Sequence, residues 1–282
     1  MKIFKELPIV LPFYELQENQ DRYRENVAEL CPFKLISPRN AILPFQIEMP
    51  LTKGAPIAWD LVSACENPSG TLLIDLTSQL NKIKIYEFAD KKQAVYFGDV
   101  LGGVSLACGY YYTRFRFNDG SQYVSEVFYI PADAFDAGQN SRYMRLEFWN
   151  DKDIDPVLYR DTFKQILYLD NFVSSFTPEI EEEQEKDGFE NSIPIFQKLI
   201  MKYKIHDVVP DFIKIALISL QMMDNVYIYI NSSRSGKIDR ISVNSQPYET
   251  GAFSDVELTF EDDIMYKTAC NTNKHLVSAY TW

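Results

Sequence analysis

The sequence predicts a mainly β protein: a β-sandwich followed by a β-rich α+β domain with one principal helix. Three observations predict it. Tyr and Phe are abundant, 18 and 19 of 282 residues, and aromatic and β-branched side chains fit a pleated, half-buried surface. Short strand-like runs recur at turn-separated intervals through the first half of the chain. The stretch Gly109–Ile130, GYYYTRFRFNDGSQYVSEVFYI, reads as two strands and one turn.

Residues 1–50 form an extended segment punctuated by Pro8, Pro12, Pro32, Pro38, Pro44 and Pro50, a density that blocks helices and central strands. Such a segment lies across its own domain or across a neighbouring subunit. Together with the acidic run further on, it is expected to make subunit contacts, so that deleting residues 1–30 weakens assembly and leaves the domains folded. ILPFQIEMP has the character of a first strand. Residues 51–131 hold Ala58–Val62, Gly70–Leu76, Ile83–Phe88 and Ala94–Phe97 as strands, and then the hairpin. Asp119-Gly120 suits a two-residue type I′ loop, which needs φ > 0 at both central positions. That loop sets Phe117 opposite Gln122, Phe115 opposite Val124, Thr113 opposite Glu126 and Tyr111 opposite Phe128. One face then carries Tyr111, Thr113, Phe115, Phe117, Val124, Phe128 and Ile130 as core. The other carries Tyr110, Tyr112, Arg114, Arg116, Tyr123, Ser125 and Tyr129. The same register puts Glu126 on the apolar face, where a carboxylate needs a hydrogen-bond partner. It is expected to be a buried structural residue.

The small, polar stretch 132–142 reads as a linker, and 143–282 as the second domain. Tyr143–Trp149 begins it as a strand, and TFKQILYL follows as another. The acidic run Glu179–Glu190 reads as a solvated loop, and the strands flanking it are expected to form an extended hairpin with a charged tip. SIPIFQKLIMKYKIHDV is one long strand or two. Pro210 suits a first helical turn, and Phe212, Ile213, Ala216, Leu217 and Leu220 recur at helical spacing, so a helix is expected near 210–223. Val226–Ile230, Lys237–Val243 and Val256–Phe260 are the remaining strands.

The formal charge of −12, with no clustered Lys and Arg, argues against nucleic-acid binding. No signal-peptide pattern and no apolar run of about 20 residues occurs, so neither export nor a membrane span is expected. Cys31, Cys65, Cys108 and Cys270 have no CxxC partner and read as buried free thiols. Asp151, Asp153 and Asp155 alternate as the first ligands of a calcium loop do, but Pro156 stands where that loop needs glycine and Thr162 where it needs glutamate. An acidic turn is the better reading, and no metal or cofactor is expected. His206 and His275 have no ligand partner at metal spacing. No G-x-S-x-G, G-x-G-x-x-G or P-loop is present, so the chain does not read as an enzyme. Tyr110, Tyr112, Arg114, Arg116, Tyr123 and Tyr129 form a candidate interaction face, suited to a protein neighbour or to stacking on a sugar.

Gly109-Tyr110-Tyr111 before a strand, a turn and a final strand is similar to the last hairpin of immunoglobulin-like and fibronectin-type domains. This implies an immunoglobulin-like sandwich over 51–131 in the form that lacks the disulfide. The chain as a whole resembles uncharacterised virion proteins coded by phages and prophages of gut Bacteroidetes. The stretches that carry this are ILPFQIEMP, GYYYTRFRFNDGSQYVSEVF, LEFWNDKDIDPVLY, VPDFIKIALISLQMMDNVYI and VELTFEDD. The resemblance implies a structural role in a tail or baseplate. It also implies other virion proteins and further copies of the chain as partners, and synthesis in the host bacterial cytoplasm. It implies no catalytic residue. A carbohydrate-binding adhesion module using the tyrosine face is the alternative.

Overall fold

A computed structural model describes residues 9–16, 33–64, 71–139, 142–154, 157–170, 175–186, 192–230, 233–234, 237–238, 240–247 and 253–268. The described residues are mainly β, with 53% strand against 10% helix. The first half contains β1 (Phe13–Glu15), β2 (Phe45–Pro50), β3 (Ala58–Ser63), β4 (Thr71–Asp75), β5 (Ile83–Glu87), β6 (Lys91–Tyr96), β7 (Gly109–Arg116), β8 (Gln122–Ser125) and β9 (Phe128–Ile130). One sheet runs β1-β8-β7-β3-β4, with β9 also on β7, and the facing sheet runs β2-β6-β5. From β2 to β8 this is the B-E-D and C′-C-F-G arrangement of an immunoglobulin-like sandwich.

The reason for that arrangement sits between the sheets. Phe45 of β2 stacks on Tyr96 of β6 at 5.1 Å, and Trp59 of β3 stacks on Phe115 of β7 at 5.3 Å. Trp59 meets Phe45 and Tyr96 edge-on, so the four fully buried rings form one block. The Trp59 indole N–H donates to Thr113 Oγ1, and that hydroxyl donates to the Asp60 carbonyl at 3.2 Å. A buried tryptophan on the third strand of such a sandwich packs against the disulfide in antibody domains. Here a hydrogen bond and a phenylalanine occupy that place. The Gly-x-Tyr start also has a structural reason. Tyr111 OH donates back to the Ala107 carbonyl at 2.9 Å, and a Cβ on Gly109 would lie 3.3 Å from that hydroxyl.

The hairpin register differs from the expected one. The observed pairs are Arg116↔Gln122, Phe115↔Tyr123 and Arg114↔Val124, then Tyr111↔Phe128 and Gly109↔Ile130. Gly120 N–H donates to the Phe117 carbonyl and Phe117 N–H to the Ser121 carbonyl. The loop therefore has three residues, Asn118 to Gly120, with Gly120 at φ +82°. Hydrogen bonds from Ser121, then the Lys53 ammonium, hold the Asp119 carboxyl down at about 2. A loop one residue longer inverts every side chain of the second strand. Tyr123 thus faces the core beside Phe117, 5.3 Å away, and Val124 takes the opposite face. The extra residue is absorbed at Glu126-Val127, and beyond it the pairing is the expected one.

Glu126 is accordingly not the buried polar residue of this sheet. It stands half-buried between β8 and β9, its N–H donating to the Pro12 carbonyl at 3.0 Å. Ser125 is fully buried instead, accepting from Thr113 N–H at 3.0 Å and donating to the Glu126 carbonyl at 2.8 Å. Ser125→Ala is expected to leave the Thr113 N–H without its acceptor and to cost about 1–3 kcal/mol, read as a lower urea midpoint with unchanged slope.

The described part of the N-terminal segment is built into its own fold. Ile9, Val10 and Leu11 are fully buried, and β1 pairs with β8. Ile36 bridges to Tyr129 and to Tyr168, stitching the first large sheet to a sheet of the second half.

The second half contains β10 (Met144–Trp149), β11 (Gln165–Leu169), β12 (Ser175–Lys186), β13 (Ser192–Pro210), α1 (Asp211–Ser219, continued by a 3₁₀ turn Leu220–Met222), β14 (Asn225–Ile230), β15 (Ser233–Arg234), β16 (Arg240–Pro247) and β17 (Phe253–Thr268). One sheet runs β11-β10-β14-β15 and the other β12-β13-β17-β16. Most of the acidic run is strand, correcting the expected loop. Glu179–Glu185 pairs along β13, with Lys202 against Glu179 and Glu261, and Arg240 against Glu181 and Glu261. Opposite charges across the ladder turn a glutamate run into a pairing strand. Ile213, Ala216, Leu217 and Leu220 are buried, and α1 packs on β13, β16 and β17. Pro210 sits at the cap rather than inside the first turn. One apolar cluster extends from Val10 to Phe260 across the 132–142 stretch. Among the described residues no helix is long and apolar enough to cross a membrane.

Candidate interaction face

Strand alternation on β7 places Tyr110, Tyr112, Arg114 and Arg116 on the side away from Trp59, and β9 adds Tyr129. Tyr123 does not join them, for the register reason above. The face is organised by Asp60 of β3, which lies opposite Arg114. Its carboxylate is almost fully buried and accepts from Arg114 Nε and Nη2 at 3.2 and 3.1 Å, and from Arg116 Nε and Nη2 at 3.0 and 3.2 Å. Both guanidinium groups are thus spent on one buried carboxylate, an arrangement that orients them and satisfies its lone pairs. Nothing in the local sequence pointed to Asp60, because β3 and β7 meet only through folding.

At the other end, Tyr110 and Tyr129 rings lie 4.8 Å apart, and the Lys34 ammonium sits 4.6 Å from the Tyr129 ring. The Tyr129 hydroxyl lies 3.6 Å from the thiol of Cys108. That contact, then burial, pushes the phenol up to about 12. Cys108 is exposed, correcting the expected buried thiol, while Cys31, Cys65 and Cys270 lie outside the described residues. The rings are half-buried and paired with each other, which leaves less flat aromatic surface than four tyrosines on one face would give.

A second aromatic and charged face lies on β10 and β14, joined by pairing between segments 82 positions apart. Trp149 stacks on Tyr227 at 5.3 Å, and Arg145 lies 3.9 Å from the Tyr229 ring. Between them Glu147 accepts from Tyr229 OH at 3.1 Å and pairs with Arg145 at 3.2 Å. Both strands were legible in the sequence, as YMRLEFW and VYIYI. Only their antiparallel register brings these five residues together.

Asp151 Oδ1 accepts from Asn225 Nδ2 at 2.7 Å, and Asp153 Oδ1 accepts from Tyr159 N–H at 2.9 Å. These two carboxylates tie the turn to β14 and to the following segment. Asp155 lies outside the described residues. Among those residues no three His, Cys, Asp or Glu side chains gather as metal ligands. His206 pairs with Asp255 at 2.6 Å on the long sheet, and His275 lies outside the described residues. Compared with protein-family models, with curated proteins and with solved structures, the chain matches none.

Proposed function

We propose that the chain is a structural component of a phage virion, a tail or baseplate protein that assembles as part of a ring or hub. The observation that supports this most is the long four-stranded sheet. β13 has 19 residues and β17 has 16, and at about 3.3 Å per residue β13 alone reaches about 60 Å. Its apolar face is buried beside α1, whereas Thr177–Ile180 and Glu182–Gln184 of β12 are exposed. Ile180 stands 66% exposed among glutamates. An exposed apolar side chain of this kind gains burial where a neighbour lies along the strand. Asp60 and Glu147 hold strands together through ion pairs, and Asp153 holds a turn through a backbone hydrogen bond, which is consistent with a scaffold. On this reading the partners are other virion proteins and further copies of the chain, and synthesis is in the host cytoplasm. The carbohydrate-binding alternative rested on four tyrosines sharing one face, and that face loses Tyr123.

The test is mass spectrometry of particles purified after induction of the phage that encodes the chain. The chain is expected in the particle at a fixed stoichiometry. Its recovery from the lysate and absence from purified particles overturns the proposal.

A further inference from the structure

We propose that β16 is a dimerisation edge: two copies pair β16 with β16, antiparallel about a two-fold axis, and join their long sheets into one. This rests on the homo-oligomeric part of the reading above. The long sheet has two edges, β12 and β16, and they differ in chemistry. β12 reads SFTPEIEEEQEK. A run of like charges, here with a proline inside the strand, is a device by which an edge strand avoids further pairing, whereas the proline of β16, Pro247, is its last residue. β16 reads RISVNSQP. Its one charge, Arg240, is held by Glu181 and Glu261, and Ile241 to Gln246 are uncharged. Among the described residues β16 pairs only with β17, and Arg240, Ser242 and Asn244 to Pro247 are exposed. An antiparallel pair of identical strands brings no like charges together and is closed by two-fold symmetry. β12 paired with itself would set glutamate against glutamate.

A second observation converges on the same edge. The 3₁₀ turn Leu220–Met222 that ends α1 packs against β16. On this helical element Ile218 and Met222, one helical turn apart, point away from the core, 41% and 67% exposed. A second copy seated on β16 covers these side chains and extends the half-buried row of Ile241 and Val243. A pairing centred on Val243 sets Ser242 of one copy opposite Asn244 of the other.

Size-exclusion chromatography with light scattering tests this on the full chain. The wild type is expected at twice the chain mass or an even multiple of it. Ser242→Glu/Asn244→Glu is expected to halve that mass and to keep the β-type circular dichroism spectrum. Mixing it with Ser242→Lys/Asn244→Lys is expected to restore the wild-type mass, a rescue that a merely misfolded variant does not give. Should the glutamate pair lose its β spectrum, the lysine pair alone carries the same test. A monomeric wild type, charged variants that keep the assembled mass, or a mixture that stays monomeric each overturns the proposal. If the chain is in the particle and the charged variants still assemble, the edge is wrong and the virion reading stands.

Discussion

Removing residues 1–16 is expected to unfold the sandwich. Ile9, Val10 and Leu11 are fully buried, and burying each such side chain is worth about 1.5–3 kcal/mol. Three of them approach the about 5–15 kcal/mol that separates a typical folded domain from its unfolded state. Polar losses add to this. Val10 N–H donates to the buried Gln165 side chain at 3.0 Å, and β1 pairs with β8 through Phe13↔Ser125 and Tyr14↔Val124. Phe13 lies 4.6 Å from Phe45 and 5.6 Å from Phe115, so its loss opens the aromatic block at one side. The truncated chain is expected to accumulate as insoluble protein, or to show no cooperative transition in urea. A soluble truncation that melts within a few degrees of the full chain sinks this reading and returns the segment to a subunit-contact role.

Trp59→Ala is expected to be the most damaging single substitution in the sandwich. Large-to-small changes at buried aromatic positions cost about 3–5 kcal/mol. Trp59 is fully buried with three aromatic neighbours from both sheets, so little can collapse into the space it leaves. Thr113→Val separates the packing from the hydrogen bond. It keeps the volume and removes the acceptor of the Trp59 indole N–H, and an unpaired buried donor costs about 1–3 kcal/mol. Urea midpoints should therefore fall in the order wild type, Thr113→Val, Trp59→Ala. A Trp59→Ala protein as stable as the wild type shows that the inter-sheet block does not hold the sandwich.

Elements with a local signature were legible. Period-two alternation marked β7, short turn-separated strand-like runs marked β3, β10 and β14, and the apolar spacing of Ile213, Ala216, Leu217 and Leu220 marked the helix. The Gly-x-Tyr start of β7 was legible as a motif, and the Tyr111–Ala107 hydrogen bond supplies its cause. The candidate site was legible only in part. Tyr110, Tyr112, Arg114 and Arg116 share a face because they alternate on one strand, a purely local property. Tyr123 was placed wrongly because its face depends on the length of the loop before it. Asp-Gly suits both a two-residue loop and a three-residue loop with glycine in the left-handed region. One residue decides the face of everything on β8.

What the sequence by itself determined is which residues alternate, where turns fall and where a helix can run, since these follow from backbone geometry within a few residues. Tertiary structure alone decided the rest. It set Asp60 beneath two arginines 54 and 56 positions away. It made a strand of the acidic run by supplying Lys202 and Arg240 as counter-charges, and it drew a proline-rich segment into the core. Each of these depends on pairing between distant segments. The free energy of such pairing comes from burial and from charges that meet only once the chain has folded.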